Sequence, residues 1–239
     1  MLLLLDFDET LSDRRALMKQ FCAVAGGIIA NAHGGQPEIW REHCAGMLLA
    51  LETEYVATFA GSPLNGYCEW LASAGARAAP MLFELAGREL PERADRLAAE
   101  IQHRALLKCS CLYPGAANAI RTAAQTYTLC TASANDSAFL DSALTGYGIR
   151  PYFAGPLFGP DLLDCAKEGP EYFARLLQKL HVPPERVALI DDDPECCAWI
   201  TELGASAIQA RMPGCVRPEW TGGPILADWV SLEARIGEL

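Results

Sequence analysis

Three segments of the sequence place acidic or hydroxyl side chains directly after a short apolar run. Asp6 and Asp8 follow "MLLLL", Thr131 closes "TLCT", and the three aspartates 191–193 follow "VALI". Such runs are typical of strands buried on both faces of a parallel sheet. Because functional residues of open parallel sheets gather beyond the carboxyl ends of the strands, we expect these side chains to share one site.

Carboxylates that lie this close together repel one another. The repulsion is about 1 kcal/mol at ~4 Å in water and several times larger in a partly dry cleft. The group must therefore take up protons or hold a cation. Mg²⁺ prefers oxygen ligands and is commonly bound by one or two carboxylates together with phosphate oxygens. A magnesium ion beside Asp6, Asp8 and a member of 191–193 would relieve the repulsion, and raised pKa values of these carboxyl groups are the alternative.

The elements that would position these residues alternate after residue 112, which predicts an α/β unit with a parallel sheet and right-handed crossovers. The predicted strands are "MLLLL", "TYTLCTAS", a short strand in "YFAGPLFG", "RVALIDDD" and, as the final strand, "ASAIQA". The clearest helix is "GPEYFARLLQKL", whose apolar residues recur at helical spacing. The segment "ILADWVSLEARI" is predicted to form a terminal helix.

Between Arg14 and about Leu107 the apolar pattern is helical throughout, as in "EHCAGMLLALETEYVATF" and "ERADRLAAEIQHRALL". The segments "AGGIIANAHGGQP" and "ASAGARAAP" predict breaks between these helices, because Gly and Pro interrupt them. The first strand is thus separated from the others by a helical insertion. We predict a discontinuous α/β core, residues 1–12 and 112–239, and an all-helical domain at 13–111.

Composition limits the classes of partner. The formal net charge is −11, so the surface repels nucleic acid and anionic membranes. The run 2–5 is too short for an export signal, and no run approaches the ~20 apolar residues of a membrane helix. Most of the ten cysteines lie beside apolar residues, as expected of reduced thiols in a core. We expect a cytoplasmic protein without a nucleic-acid or membrane partner.

Four motifs, in this order, resemble those of the haloacid dehalogenase-like hydrolases. "DFDETL" is similar to the first motif, Asp-x-Asp-x-Thr, and "TLCTAS" to the second. Lys167 in "CAKEGPEYF" stands where the third motif has its lysine, and "ALIDDDPE" is similar to the fourth. The resemblance covers about 1–12 and 112–210. It implies a Rossmann-like three-layer core, with the helical insertion acting as a cap that closes over the strand ends.

The chain departs from the family pattern at two positions. Glu168 follows Lys167 where Pro is usual, so an acid stands beside the cation. Cys196 stands where the fourth motif commonly has an acid, four residues beyond the metal ligand. Paired aspartates occur in variants of this motif, and Asp191 would then take over the supporting role.

The resemblance also implies catalytic roles. Asp6 would be the nucleophile that attacks phosphorus and forms an aspartyl-phosphate. Asp8 would be the general acid for the leaving group and then the general base for the hydrolytic water. Thr131, with backbone N–H groups near Ala132, would bind phosphate oxygens, and Lys167 would neutralise charge that develops in the transition state.

By the same resemblance, Asp6, the backbone carbonyl of Asp8, and Asp192 would hold Mg²⁺, with Asp191 in support. Asp193, which precedes a proline, is expected to cap the following helix. Additional phosphate or substrate contacts are expected from Thr10, Ser133 and His33. Other residues of the insertion that could select the substrate, although each is more typical of a solvated helix face, are Arg41, His43, Arg77 and Arg88.

The leading hypothesis is a Mg²⁺-dependent phosphatase acting on a small phosphorylated metabolite. Asp8 favours phosphoryl chemistry over dehalogenation, because carbon–halogen cleavage needs no protonated leaving group, and dehalogenases of the family lack this acid. A phosphomutase and a catalytically silent, metal-binding regulatory protein remain alternatives. A protein phosphatase of the same superfamily is disfavoured by the large helical insertion. The physiological substrate and the oligomeric state stay open.

Overall fold

A parallel sheet organises the chain. The structure, a computed structural model, describes residues 1–59 and 65–239. In this part of the chain six strands form one sheet in the order β3-β2-β1-β4-β5-β6, and all neighbours run parallel. The strands are β1 (Leu2–Leu5), β2 (Thr128–Ala132), β3 (Leu157–Phe158), β4 (Val187–Asp191), β5 (Ser206–Ala210) and β6 (Ile225–Leu226).

The opening apolar run is a central strand. Side chains alternate between the two faces of a strand, and the four leucines of β1 follow this rule. Leu3 and Leu5 pack in one hydrophobic cluster, whereas Leu2 and Leu4 pack in a second cluster. Both faces of β1 are therefore covered, as the continuous run predicted.

Helices cover the two faces of the sheet. The α-helices that follow residue 112 in the described part of the chain are α5 (Ala116–Ala123), α6 (Ser137–Gly146), α7 (Pro160–Leu163), α8 (Pro170–Leu180), α9 (Pro194–Glu202) and α10 (Leu232–Ile236). Residues of α5, α6 and α10 pack in the cluster that contains Leu3, and residues of α8 and α9 pack in the cluster that contains Leu2. This three-layer arrangement confirms the predicted Rossmann-like α/β fold.

Four helices separate β1 from α5 in the described residues. They are α1 (Arg14–His33), α2 (Pro37–Phe59), α3 (Tyr67–Leu85) and α4 (Ala94–Leu106). We call them the inserted helices; residues 60–64, which the predicted helical domain also includes, lie outside the described residues. The helical character of the insertion is as predicted, and the division of the chain into two domains stays a prediction.

Of the two predicted helix breaks, the first is confirmed at residues 34–36, between α1 and α2, and the second is wrong. Helix α1 runs through Gly26 and ends only at His33, and α3 runs through Pro80 to Leu85. A Cβ atom at Gly26 would lie 2.6 Å from the carbonyl oxygen of Pro37. This glycine therefore permits close packing of α1 against the start of α2. In α3 buried residues on both sides of the proline, Ala78 and Ala79 before it and Leu82 and Phe83 after it, hold the helix together by tertiary packing.

The carboxyl-terminal segment also differs from the prediction. β5, which contains "SAIQA", is followed by β6, whose two residues pair with Gln209 and Ala210 at the edge of the sheet. The predicted terminal helix therefore begins as a strand, and its α-helical part is confined to α10. The four-residue α7 was not predicted because it is too short to show a helical period. Within the described residues, every helix is too short or too polar to cross a membrane.

Candidate active site

The register of the sheet brings three of the predicted motifs to one edge. Leu5 is paired with Thr131 on one side and with Ile190 on the other. The chain continues this register for one more residue, since the N–H of Asp6 donates to the carbonyl oxygen of Ile190 at 2.9 Å. Asp6 and Asp191 therefore emerge side by side at the carboxyl ends of adjacent strands.

A buried lysine connects these two carboxylates. The Nζ atom of Lys167 lies 2.7 Å from Oδ1 of Asp6 and 2.7 Å from Oδ2 of Asp191. Carboxylate oxygens of Asp6, Asp191 and Asp192 all lie within 4.8 Å of one another, and all three residues are buried. Three carboxyl groups thus share one buried ammonium group, so they cannot all be ionised without an excess of negative charge around Lys167. We call Asp6, Asp191, Asp192 and Lys167 the carboxylate cluster.

Burial dominates the electrostatics of the carboxylate cluster. It raises the pKa of Asp6, and the charge of Lys167 opposes this shift. Burial, followed by the charges of Asp6 and Asp191, raises the pKa of Asp192 to about 8. Burial alone would lower the pKa of Lys167, but Asp191 and Asp6 outweigh it and raise this pKa well above its usual value. Lys167 is therefore held in its charged form, and within the described residues no second cation of equal burial pairs with these carboxylates.

Asp8 occupies a different environment from Asp6. Its Oδ2 atom accepts a hydrogen bond from Nδ2 of Asn135 at 3.0 Å and lies 3.9 Å from Nε of Arg14. Its Oδ1 atom is buried and has no hydrogen-bond partner among the described residues. Burial raises the pKa of Asp8, and the hydrogen bond from Asn135 and the charge of Arg14 only partly oppose this. A carboxyl group in these surroundings is suited to donate a proton.

The turn that carries Asp8 is held in an unusual conformation. Glu9 has a φ of 56°, which is rare for a side chain other than Gly. Its Oε2 atom accepts a hydrogen bond from the hydroxyl of Tyr113 at 2.7 Å, and N–H groups of Leu11 and Ser12 donate to the carbonyl oxygen of Phe7. This tight turn reverses the chain just after the strand, and Asp13 then caps α1.

The predicted phosphate-binding residues Thr10, Thr131 and Ser133 lie at the ends of β1 and β2, and all three are buried. The hydroxyl Oγ1 of Thr10 is buried and has no hydrogen-bond partner among the described residues. Thr131 donates its hydroxyl to the carbonyl oxygen of Phe158 at 3.2 Å. Ser133 Oγ accepts the N–H of Asn135 at 3.2 Å, so its own proton stays free to donate. Ala132, the last residue of β2, is fully buried.

Asp193 and Cys196 take structural positions. The carboxylate of Asp193 accepts the N–H of Glu195 at 2.9 Å and caps α9, as predicted. Cys196 is buried in the cluster formed with α8. Asp191 accepts hydrogen bonds from Lys167 and from the N–H of Asp193, and its supporting role in metal binding stays a prediction.

The contacts of His33 in the described residues lie on the inserted helices and do not include the carboxylate cluster. Its ring packs edge-on against Phe83 at a centroid distance of 5.1 Å. It lines a cleft of about 340 Å³ on the inserted helices, with residues of α4 and the segment before it. The other candidates in the insertion also show contacts with inserted helices: Arg77 pairs with Glu54, and Arg88 packs on Trp40.

Four residues at the site were missed by the sequence analysis. Asn135 and Arg14 contact Asp8, and the hydroxyl of Tyr172 donates to the carbonyl oxygen of Ser133 at 3.0 Å. Arg217 lies 3.4 Å from Oδ2 of Asp192 and 3.0 Å from Oδ2 of Asp193. Asn135 and Tyr172 follow motif residues closely and could have been found by that proximity. Nothing in the sequence around Arg217 indicates that its loop returns to the strand ends.

The residues present fit a divalent cation with oxygen ligands. The donor set of the carboxylate cluster is made of carboxylate oxygens, which Mg²⁺ prefers. The unpartnered oxygens of Asp8 and Thr10 lie in the same turn, where a polar ligand would satisfy them. A cation would also offset the excess negative charge that burial makes costly.

The comparisons with known proteins agree with this arrangement. The sequence model of a family described as haloacid dehalogenase-like hydrolase matches residues 1–195. No curated protein matches the chain significantly.

Solved structures of several proteins share the fold. A 2-haloacid dehalogenase from Pseudomonas syringae is 19% identical, with a TM-score of 0.64, over 99% of this chain and 97% of that one. A HAD phosphatase from Thermococcus onnurineus is 16% identical, with a TM-score of 0.62, over 99% and 98%. A HAD hydrolase from Bacillus subtilis bound to magnesium is 16% identical, with a TM-score of 0.59, over 97% and 96%. These identities establish a common fold and leave the reaction open.

Proposed function

The chain belongs to the haloacid dehalogenase-like hydrolases, and on that basis we propose that it is a Mg²⁺-dependent phosphatase acting on a small phosphorylated substrate. The observation that carries the proposal is the environment of Asp8. Burial raises the pKa of this carboxyl group, two residues beyond the buried Asp6. Cleavage of a phosphate ester needs a proton for its alkoxide leaving group, and cleavage of a carbon–halogen bond does not.

Asp6 is the nucleophile in this proposal. Its carboxylate attacks phosphorus, the ester oxygen leaves with the bonding electrons, and Asp8 donates a proton to that oxygen. Lys167, 2.7 Å from Asp6, favours the ionised form of the nucleophile and so opposes the effect of burial on its pKa. Asp8, now ionised, then takes a proton from the water that attacks the aspartyl-phosphate, which releases inorganic phosphate and restores Asp6.

The oxygens of the transferred phosphoryl group need hydrogen-bond donors, and their negative charge needs positive charge nearby. Hydroxyl protons from Thr10 and Ser133 and the ammonium of Lys167 supply donors for its oxygens. Mg²⁺ bound by Asp6, Asp192 and the carbonyl of Asp8 would neutralise charge on the phosphate oxygens and reduce their repulsion with the nucleophile. The magnesium-bound relative supports this choice of metal.

The proposal is tested by assaying the purified protein against a panel of phosphate monoesters with Mg²⁺ and with a chelator. We expect phosphate release that requires Mg²⁺ and is abolished in Asp6→Asn, a substitution that keeps the shape of the side chain. The same preparations are assayed for halide release from 2-haloacids. Halide release that is insensitive to the chelator, without hydrolysis of any ester, would contradict the phosphatase proposal and support a dehalogenase. Turnover that needs a bisphosphate activator would instead favour a phosphomutase.

A further inference from the structure

The segment that carries Lys167 is in contact with the inserted helices. We call this segment, residues 164–169 between α7 and α8, the lysine loop. Oδ1 of Asp164 accepts the N–H of Cys68, at the start of α3, at 2.9 Å. Cys165 forms an antiparallel backbone bridge with Asn65. The lysine loop therefore contacts α3 and the residues just before it.

An aromatic cluster packs on the middle of the lysine loop. It consists of Tyr55 and Phe59 of α2 and Tyr67 and Trp70 of α3, whose ring centroids lie 5.1 to 6.3 Å apart. Ala166, the residue before the lysine, is fully buried in this cluster. Each ring is restrained by three others, so the hydroxyl of Tyr55 has a fixed position at the edge of the cluster.

That hydroxyl contacts the residue on the other side of the lysine. The Tyr55 hydroxyl donates a hydrogen bond to Oε1 of Glu168 at 3.0 Å. Burial, followed by the charge of Glu168, raises the pKa of Tyr55, so the phenol stays protonated and remains a donor. Glu168 is one of the two departures from the family pattern, and the mechanism proposed above gives it no role.

Both neighbours of Lys167 are thus held by α2. Ala166 is packed against Phe59, and Glu168 accepts the hydrogen bond from Tyr55. Lys167 itself extends into the core, where Nζ is shared between two carboxylates. We propose that Tyr55 and Glu168 are positioning residues, which act through the lysine loop to hold the ammonium of Lys167 against Asp6. This inference rests on the proposed function for its kinetic test only.

The kinetic test uses Tyr55→Phe, which removes the hydroxyl and keeps the ring, and Glu168→Ala. We expect each to lower kcat by about three- to tenfold, the effect of one lost hydrogen bond, with KM within about twofold. The double variant should be no slower than either single variant, because both remove the same contact. Glu168→Gln keeps an acceptor oxygen and should retain kcat. Tyr152→Phe is the matched control, because it removes a tyrosine hydroxyl that accepts a hydrogen bond from Arg121 of α5.

A second readout does not depend on turnover. This readout is the rate at which an amine-reactive reagent labels Lys167, measured by peptide mass spectrometry. The rate reports how firmly the ammonium group is held in its buried position. We expect faster labelling in Tyr55→Phe and Glu168→Ala, and wild-type rates in Glu168→Gln and Tyr152→Phe. Unchanged labelling and unchanged kcat in Tyr55→Phe would overturn the inference. Faster labelling in a protein that hydrolyses no ester would uphold it and reject the phosphatase instead.

Discussion

The Nζ atom of Lys167 lies 2.7 Å from Oδ1 of Asp6, although the two residues are 161 positions apart in the chain. The same ammonium lies 2.7 Å from Asp191, so one cation serves two buried carboxylates. Removing a partner from such a group leaves uncompensated buried charge. The contact therefore connects the nucleophile of the proposed reaction to the stability of the strand ends.

Replacement of Lys167 by Met should lower kcat for phosphate esters by at least about 100-fold, because a charged donor to the transferred group is lost. The pKa of Asp6 should also rise further, because the charge of Lys167 lowers it in the unsubstituted protein. Steady-state kinetics on the best ester measures the effect. Lys108→Met, at an exposed lysine, should keep wild-type kcat; a similar loss in both variants would contradict a specific role.

Asp8→Asn should slow the hydrolysis of alkyl phosphates more than that of aryl phosphates. We expect kcat/KM to fall by about 10²–10⁴ for alkyl phosphates, whose alkoxide leaving groups need a proton. The loss should be much smaller for an aryl ester such as 4-nitrophenyl phosphate, whose leaving group is stable as an anion. Asp141→Asn, at an exposed ion pair with Arg150, is the control. Equal losses for both ester classes would show that Asp8 is not the general acid.

Binding of Mg²⁺ should become more stabilising as the pH rises. The pKa of Asp192 is raised to about 8 in the folded protein and is about 3.9 in an unfolded chain. Between these values the folded state binds more protons, so the metal-free protein loses stability as the pH rises. Mg²⁺ needs the ionised carboxylate, so its binding releases this proton and is stronger at pH 8 than at pH 6.

Thermal unfolding with and without Mg²⁺ at these two pH values measures this linkage. The increase in Tm caused by Mg²⁺ should be larger at pH 8, and Asp192→Asn should abolish it at both. An increase that is the same at pH 6 and pH 8 would show that the carboxyl group of Asp192 does not titrate in this range, and an increase that persists in Asp192→Asn would show that Asp192 does not ligate the ion.

The left-handed conformation of Glu9 predicts a difference between two substitutions. Both Glu9→Gly and Glu9→Ala remove the hydrogen bond from Tyr113, but only glycine tolerates a φ of 56° without strain. The glycine variant should therefore be more stable than the alanine variant by about 1 kcal/mol. Urea unfolding measures the two free energies. A more stable alanine variant would show that the turn relaxes to another conformation.

The strand ends could be predicted from the sequence because their signal is local. An apolar run followed by Asp6 or Asp191 indicates both a buried strand and the edge at which its polar residues emerge. The alignment of Lys167 with these groups is not local, and it was predicted only through the resemblance to a family. The structure places that lysine between the two carboxylates.

Other features could not be predicted because tertiary contacts determine them. The segment that ends in Pro80 indicated a helix break, but the buried residues on both sides of this proline keep α3 continuous. β6 is only two residues long and exists because β5 offers an edge. Arg217 reaches Asp192 from a loop that carries no recognisable motif.

The central claim is that Asp6 receives the phosphoryl group, and trapping that intermediate tests it most directly. The protein is mixed with Mg²⁺ and a phosphate ester labelled on phosphorus, quenched in acid within one turnover, and digested for peptide mapping. We predict acid-stable, hydroxylamine-labile label on the peptide that contains Asp6, and none in Asp6→Asn. Ester turnover with no label on that peptide, or with label on another residue, would contradict the account.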